Sequence, residues 1–431
     1  MFKIEIYSIL EQMKKLQKKN YFAIHSWIGV QLSIIFFIVC FSGTVAVFSH
    51  ELDWIFNSEM RASPQKELAS KNKILNQLKT DFPKQHITFW EKSREEYLVD
   101  IVHLENDEGA ILYVFANPYT GKIQGSSTGT IQRFFRDLHY NLFIPTDIGN
   151  YIVLFFGFLL LGSLISGLKF IRNKRKHYLN IGKKNNTLAY TKNLHKTFAV
   201  WSIPFIMLFS VSAIWYFTER ANLFSIADFI DDKEIENISM STTDVENFSY
   251  SLDYDHAIEI AKREIPNFTF GSFVISEDYK TIEVRGDSNA KLARYRANRV
   301  VIDAKTNTVL FLQKATETNS LMTFNNLIDP IHFGYFGGLF TKAIWFIFGS
   351  LICYLAASGI WIYLKRISKN KKGTYTFRYL NWSLFAVIQF FMYSRLILEQ
   401  QISLKSHLII LCFWLLFAYL IYHIFYKKIR A

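Results

Sequence analysis

Uncharged apolar segments alternate along the chain with segments rich in charge. Five of the six uncharged segments have at least 20 residues, the helical length that crosses a hydrocarbon core of about 30 Å. The remaining segment, 379–394, crosses only if it continues past Arg395 to Leu398, with the arginine reaching back to the interface. The pattern predicts a membrane α-helical bundle with six spans, TM1 to TM6, at 25–50, 146–170, 195–218, 336–365, 379–398 and 406–426.

The first four spans repeat one arrangement of histidine, serine and small residues. A histidine opens TM1 and TM3, and a serine followed by a small residue lies 17 positions later in each. A second histidine precedes TM2 and TM4, and a Ser-Gly pair follows near the end of each. The arrangement predicts a duplicated unit with two histidine pairs, which suggests a cofactor held on each side of a membrane. Its members are His25, Ser42-Gly43, His139 and Ser166-Gly167 in the first copy, and His195, Ser212-Ala213, His332 and Ser358-Gly359 in the second.

Each copy encloses one large loop, at 51–145 and 219–335, whose pattern predicts one helix followed by antiparallel strands. Gly121 and Asn307 occupy the same position of a turn shared by the two loops, and both residue types tolerate a left-handed backbone. The predicted helices lie near 68–78 and around Ala257, Ile260 and Ala261, and the predicted strands at 87–91, 96–104, 111–116, 268–275, 281–285, 295–302 and 309–312.

The net charge of +13 is unevenly distributed. An amphipathic lead-in at 1–24, the loops at 171–194 and 366–378 and the C-terminal tail are basic, whereas the two large loops are acidic on balance. Because short basic loops remain in the cytoplasm, both termini are predicted to be cytoplasmic and both large loops to lie outside. The basic segments adjoin predicted spans, which argues against a nucleic-acid partner.

Cysteine usage and missing motifs narrow the chemistry. Cys40, Cys353 and Cys412 all lie within predicted spans, and no C-x-x-C-H occurs, which excludes a disulfide framework in the outer loops and covalent c-type haem. No G-x-G-x-x-G follows a strand and no Walker A motif occurs, so no built-in nucleotide site is predicted. The span cores contain no acidic or basic residue, unlike those of a typical proton-coupled transporter.

Several short patterns follow one another in a fixed order: His25-Ser26-Trp27-Ile28-Gly29, Ser42-Gly43, Glu51-Leu52-Asp53, Thr120-Gly121-Lys122, Asp137-Leu138-His139, Ile331-His332-Phe333-Gly334 and Ser358-Gly359-Ile360-Trp361. This set resembles the PepSY-associated transmembrane family over roughly residues 20–366. The resemblance implies a four-span core with periplasmic PepSY-like α+β domains. It also implies kinship with haem-containing reductases of the bacterial inner membrane that are associated with iron-siderophore uptake. The chain departs from the pattern by adding a hairpin of two spans and by placing Ala213 where glycine is expected.

The repeated histidines fit axial ligation of b-type haem, which needs two imidazoles from different helices and small residues beside the macrocycle. His25 and His195 are predicted to hold one haem at the cytoplasmic face, and His139 and His332 a second at the periplasmic face. The alternative interpretation is that these histidines lie at membrane interfaces, where their amphipathic rings suit the headgroup region.

Weaker candidates surround these pairs. His50 ends TM1 on the outer side and is a possible substitute ligand, while His177 has no counterpart in the other copy. Arg133 and Arg136 precede His139 and are candidates for pairing with haem propionates, the alternative being that they bind lipid headgroups.

A basic cluster in the second loop is a candidate for docking an anion. Arg294 and Arg296 are predicted to share one strand face, near Lys291 and Arg299. The alternative is that the cluster is a solvated strand face.

The leading functional hypothesis is a di-haem oxidoreductase of the inner membrane. It would take electrons from a quinol or a cytoplasmic flavin protein and reduce a periplasmic ferric complex, a ferric siderophore if the family resemblance holds. One alternative is a non-redox PepSY-type module that binds a peptidase or a peptide. Another is a component of haem or metallophore transport.

Overall fold

The computed structural model describes residues 17, 19–171, 186–223, 248–276, 280–290, 292–368, 376–398 and 404–427. The helices are α1 (Lys19–Gln31), α2 (Ser33–Ala46), α3 (Ser49–Phe56), α4 (Lys71–Asp81), α5 (Ile131–Tyr140), α6 (Thr146–Phe170), α7 (Thr187–Trp201), α8 (Ile203–Arg220), α9 (Tyr254–Glu264), α10 (Ser320–Phe333), α11 (Gly338–Ser368), α12 (Thr376–Leu398) and α13 (Leu404–Ile421). The strands are β1 (His86–Glu91), β2 (Asp100–Glu105), β3 (Ile111–Ala116), β4 (Ile123–Ser127), β5 (Thr269–Ser276), β6 (Thr281–Asp287), β7 (Asn298–Asp303) and β8 (Val309–Gln313).

Length and apolar composition identify the chain as a helical membrane protein. Within the described residues, α6, α11 and α13 are each long and apolar enough to cross a bilayer alone. Two further spans arise if α1 with α2, and α7 with α8, each count as one broken span, which gives up to five candidates. The predicted fifth span, α12, is not among them.

The predicted spans TM1 and TM3 are each divided into two helices rather than continuous. The axes of α1 and α2 differ by 73°, and those of α7 and α8 by 62°. The breaks, at Leu32 and Ser202, are 170 positions apart, as are His25 and His195. Pro204 lies in the first turn of α8 and explains the second break, because proline lacks an N–H and its ring clashes with the preceding turn.

The two outer loops form one sheet instead of two separate domains. All eight strands are antiparallel, in the order β4-β3-β2-β1-β5-β6-β7-β8. The two copies meet where β1 pairs with β5, with Trp90 opposite Phe273. The edge that each separate sheet would have exposed at β1 or β5 is thereby paired, which removes a site of unwanted strand addition.

One face of the sheet is covered by α4 and α9. Helical spacing places Ala257, Ile260 and Ala261 on the buried side of α9. Tyr254 packs there at ring-centroid distances of 5.4 Å from Trp90 and 4.9 Å from Phe273. The core therefore crosses the junction between the copies.

The two covering helices also cap each other. Asp255 of α9 accepts hydrogen bonds from the main-chain N–H groups of Lys71, at 2.8 Å, and Asn72, at 3.2 Å, in the first turn of α4. In return, the side-chain oxygen of Asn72 accepts the N–H of Tyr254 at 3.0 Å. These N–H groups have no partner within their own helices, so the reciprocal caps fasten one copy to the other.

The shared turn has the predicted backbone. Gly121 has a φ of 70° and Asn307 a φ of 57°, both in the left-handed region. The prediction that these two positions are equivalent is confirmed, and the turns lead into β4 and β8 at opposite edges of the sheet.

We expect Asp255→Ala to destabilise the outer sheet by about 1–2 kcal/mol, the usual cost of removing a side-chain cap. Thermal unfolding of the detergent-solubilised chain measures this. Asp107→Ala is the matched control, because Asp107 is 90% exposed and pairs only with His86 among the ion pairs of the described residues. Equal unfolding temperatures for the two variants would show that the reciprocal cap contributes nothing.

Candidate functional site

Two histidine pairs lie at opposite ends of the bundle. The sheet-end pair consists of His139 on α5 and His332 on α10, with ring centroids 6.3 Å apart and an interplanar angle of 34°. The far pair consists of His25 on α1 and His195 on α7, with centroids 6.4 Å apart and an angle of 82°. Each pair takes one histidine from each copy, so the structure brings together the residues that the sequence predicted to pair.

The far pair is held by the long apolar helix that ends each copy. His25 Nδ1 lies 2.9 Å from the main-chain oxygen of Ser163 on α6. His195 Nδ1 lies 2.8 Å from the hydroxyl oxygen of Ser358 on α11. Each ring therefore has one nitrogen fixed to a neighbouring apolar helix.

The sheet-end pair is held by the helices that follow the two breaks. His139 Nδ1 lies 2.9 Å from the main-chain oxygen of Val39 on α2. His332 Nδ1 lies 2.7 Å from the hydroxyl oxygen of Ser212 on α8. All four histidines thus use the same nitrogen, Nδ1, to attach to the bundle.

The hydrogen-bond partners fix the tautomer of each ring. A main-chain oxygen only accepts, so His25 and His139 donate from Nδ1. The hydroxyls of Ser212 and Ser358 donate their own protons to carbonyl groups of their own helices, at 2.9 and 3.3 Å, and so accept from the histidines. With Nδ1 protonated, Nε2 of a neutral imidazole carries the lone pair, which is the form that binds a metal.

Glycine lies beside three of the four rings. A Cβ added at Gly43 would be 2.6 Å from Cε1 of His139, a distance that requires the ring to move. At Gly167 and Gly359 it would lie 3.4 and 3.6 Å from the far-pair rings. The small residues predicted beside a cofactor therefore also make room for the imidazoles themselves.

Asp53 positions the helix that carries His139. Its carboxylate accepts the main-chain N–H groups of Ile131, at 2.7 Å, and Gln132, at 2.9 Å, at the start of α5. The side chain is 2% exposed. An acid at a helix N-terminus satisfies free N–H groups and complements the helix dipole, so Asp53 fixes the beginning of α5.

In each copy an acidic residue precedes the sheet-end histidine on the same helix by two or three positions, and the first of them, Asp137, is buried. Asp137, on α5, accepts from Arg133 Nε at 3.0 Å and lies 3.8 Å from an Arg395 nitrogen on α12. Both arginines therefore have a protein carboxylate as a partner. The pairing of Arg133 with a haem propionate and the reach of Arg395 to the membrane interface stay predictions.

In the second copy, the acidic residue near the sheet-end histidine has different partners. Asp329, on α10, accepts from the Tyr216 hydroxyl at 2.7 Å and lies 3.5 Å from an Arg294 nitrogen. Arg294 Nε also donates to Asn326 at 3.0 Å. The prediction that Arg294 and Arg296 share a strand face is wrong, since Tyr295–Ala297 is a 3-10 turn and Arg294 is buried.

The weaker candidates lie apart from the two pairs. His50 is on α3, where it interacts with Asp53, and among the described ring contacts it joins neither pair. Arg136 is exposed on α5 and remains available to an anion. His177 and Lys291 lie outside the described residues.

Ser163 was missed by the sequence prediction. The repeat marks Ser166, but the Ser166 hydroxyl donates to Gly162 of its own helix at 2.7 Å. His25 Nδ1 instead lies 2.9 Å from the main-chain oxygen and 3.1 Å from the hydroxyl oxygen of Ser163, a residue that the repeat does not mark. Asp53 was noticed only as part of a family pattern, and its capping role depends on a helix 78 positions later.

Each site offers two imidazoles whose Nδ1 atoms are held by hydrogen bonds to neighbouring helices. No group of three or more His, Cys, Asp or Glu among the described residues is placed to hold a metal ion. Two facing imidazoles without further protein ligands suit a metal whose remaining ligands come from a bound group.

A histidine of the sheet, His103, has a lowered pKa. His103 on β2 packs between Phe89 and Tyr113, with centroids 5.0 and 4.8 Å away. Burial, and then the positive charges of Arg133 and Arg136, lower the pKa of His103 to about 4.

Comparison with known proteins places most of the chain in one family model. The model, described as PepSY-associated TM region, matches residues 22–366. The match contains all four paired histidines and ends before α12. A comparison with curated proteins found no match.

We expect acid to destabilise the sheet through His103. The folded-state pKa is about 4 and the unfolded value about 6.5, so protonation favours unfolding as the pH falls from about 6.5 to about 4. His103→Gln should lessen the fall in unfolding temperature across that range, and His256→Gln, at a side chain 44% exposed, should not. Parallel pH profiles for wild type and His103→Gln would contradict the assignment.

Proposed function

The chain belongs to the PepSY-associated transmembrane family, and on that premise we propose that it is a di-haem reductase of the bacterial inner membrane. It moves electrons from the cytoplasmic side to a periplasmic ferric complex, for which a ferric siderophore is the proposed substrate. The donor is a quinol or a cytoplasmic flavin protein. The observation that carries the proposal is the geometry of the two histidine pairs.

The ring separations fit two imidazoles that share one metal ion. Metal–imidazole bonds are about 2.0–2.1 Å in zinc sites, and a ring centre lies roughly 1.1 Å behind its nitrogen for C–N bonds near 1.33 Å. Centroids on opposite sides of one metal would therefore be about 6.2–6.4 Å apart. The measured separations are 6.4 and 6.3 Å, which supports two axial pairs.

Nε2 of His25 and His195 would hold one haem, and Nε2 of His139 and His332 the other. Bound haem supplies one-electron redox chemistry whose potential depends on axial ligation, hydrogen bonding and burial. The chain supplies the Nδ1–H hydrogen bonds, which raise the basicity of the ligating nitrogen and fix its direction.

The two pairs are far apart along the bundle. Ser358 contacts the far pair, and Trp345, on the same helix, donates to the carbonyl of Ile331 beside His332 at 2.9 Å. Ser358 and Trp345 are 13 positions apart, which is about 20 Å of helix. One site at each end divides the passage through the membrane into shorter electron-transfer steps.

We further infer six spans with both termini in the cytoplasm. Two polar residues of α12, Asn381 and Arg395, pair with groups of the bundle, so their presence is compatible with a span. The basic loops then lie in the cytoplasm, and the sheet and the sheet-end pair face the periplasm.

The proposed acceptor lies on the sheet side. Exposed Arg136 and the adjoining sheet offer a surface for an anionic ferric complex. Reduction to ferrous iron would release the metal, since siderophore oxygen donors hold the harder ferric ion more tightly. A non-redox PepSY-type module and a transport component are the other outcomes that the test can give.

We expect the purified chain to carry about two b-type haems, one for each bis-histidine pair. A dithionite-reduced minus oxidised absorption spectrum with a haem count measures this. His25→Ala or His195→Ala should remove one haem, and His139→Ala or His332→Ala the other. Adding a ferric siderophore to the reduced protein should oxidise the haem.

His256→Ala is the matched control, because this exposed histidine lies far along the chain from both pairs. Colourless protein from haem-replete cells would overturn the redox proposal in favour of the binding module. Haem that the ferric siderophore does not oxidise would overturn the substrate alone.

We expect Gly43→Ala to lower haem occupancy at the sheet-end site, because the new methyl group displaces His139. Gly29→Ala is the control in the same broken span, since a Cβ there meets nothing within 4 Å. The measurement is haem per chain together with the EPR signal of each oxidised haem. Full occupancy in Gly43→Ala would exclude the assigned role of His139.

A further inference from the structure

The break between α1 and α2 exposes backbone groups inside the membrane domain. A helix end leaves its last carbonyl groups and a helix start its first N–H groups without partners in the same helix. In an apolar surrounding each such group costs several kcal/mol unless protein satisfies it. The break at Leu32 has no proline to explain it.

Asn381, at the start of the C-terminal hairpin formed by α12 and α13, satisfies this break. Its side-chain oxygen accepts from the N–H of Ile34 at 2.8 Å and from the Ser33 hydroxyl at 3.2 Å. Its amide nitrogen donates to the carbonyl groups of Gln31, at 2.9 Å, and Val30, at 3.3 Å. A primary amide has two donor hydrogens and two lone pairs on oxygen, so these four bonds use the whole side chain, which is 1% exposed.

The second copy reaches the same geometry without the hairpin. Ile34 and Pro204 are 170 positions apart, the offset that also relates His25 to His195. The N–H that Asn381 accepts in the first copy is therefore absent from the second, because proline has none. The break in the second copy is produced by Pro204 in the local sequence. The break in the first copy depends on a side chain about 350 positions away.

The direction of α1 determines where His25 lies. His25 is on α1, before the break, while α2 follows at 73°. Its ring must face His195, which belongs to the other copy. The other end of α12 contacts the first copy again, through Arg395 and Asp137. The hairpin thus reaches the first-copy helices that carry His25 and His139.

We propose that Asn381 is a positioning residue for His25 and that the hairpin holds the far pair in its ligating geometry. The inference rests on the proposed di-haem function. It gives a role to the segment that lies beyond the family match.

The first test does not depend on haem. In Asn381→Leu, the peptide covering 28–36 should exchange its amide hydrogens about tenfold faster in detergent, since the hydrogen bonds that hold the backbone at the break are lost. The equivalent peptide, 198–206, should not change. Gln389→Leu, a similar substitution on the same helix, is the matched control. Unchanged exchange at 28–36 would overturn the role of Asn381 at the break.

The second test reads the geometry of each site. EPR signals of low-spin ferric haem depend on the angle between the axial imidazole planes, which is 82° in the far pair and 34° in the sheet-end pair. Asn381→Leu should shift or abolish the far-pair signal and leave the sheet-end signal in place. Loss of both signals together would indicate general misfolding and overturn the specific role.

The third test is a rescue. Ile34→Pro, added to Asn381→Leu, copies the second break into the first, since proline is tolerated in the first turn of a helix. The double variant should recover the far-pair signal, whereas a purely structural role of the hairpin predicts no recovery. Faster exchange at 28–36 with an unchanged far-pair signal would show that the hydrogen bonds of Asn381 do not position His25. Absence of haem from wild type would refute the proposed function. The exchange measurement would still show whether Asn381 stabilises the break between α1 and α2.

Discussion

The hydrogen bond from Nδ1 of each paired histidine is the interaction on which the site depends. It directs each ring away from the helix that accepts it and leaves the lone pair on Nε2. The acceptors are main-chain or serine oxygens on apolar helices, so the rings are placed by the rigid part of the bundle. Each of the four helices that carry these acceptors must therefore stay in register with a histidine from another helix.

That requirement explains why side chains fix the helices that carry the histidines. Asp53 fixes the start of α5, which carries His139, and Asp329 ties α10 to Tyr216 of α8, beside His332. The single sheet and the reciprocal caps of α4 and α9 join the copies outside the membrane helices. Since each pair takes one histidine from each copy, any relative movement of the copies would open both pairs. A shared sheet is a stiffer connection than two separate domains would provide.

The helices and strands could be predicted from the sequence more accurately than the contacts between distant segments. The strand at 111–116 and the left-handed turn positions were recognised because period-two patterns and turn residues are local signals. The strand predicted at 295–302 begins only at Asn298, since Arg294 turns inward to Asn326. The histidine pairing followed from the repeat, whereas Ser163 lies outside the repeat and the break at Leu32 depends on Asn381. Contacts between distant segments carry no local periodicity, so only the structure reveals them.

The two copies show how a duplicated unit can keep one geometry by different means. In the second copy, Pro204 makes the break intrinsic and Ser212 accepts from His332. In the first copy, Asn381 supplies the missing partner at the break, and Val39 offers its carbonyl to His139. Because the backbone groups at a break must be satisfied in an apolar medium, loss of a proline is tolerated only where another polar side chain takes over. The hairpin provides that side chain, and the first copy is consequently the half of the bundle whose histidines depend on it.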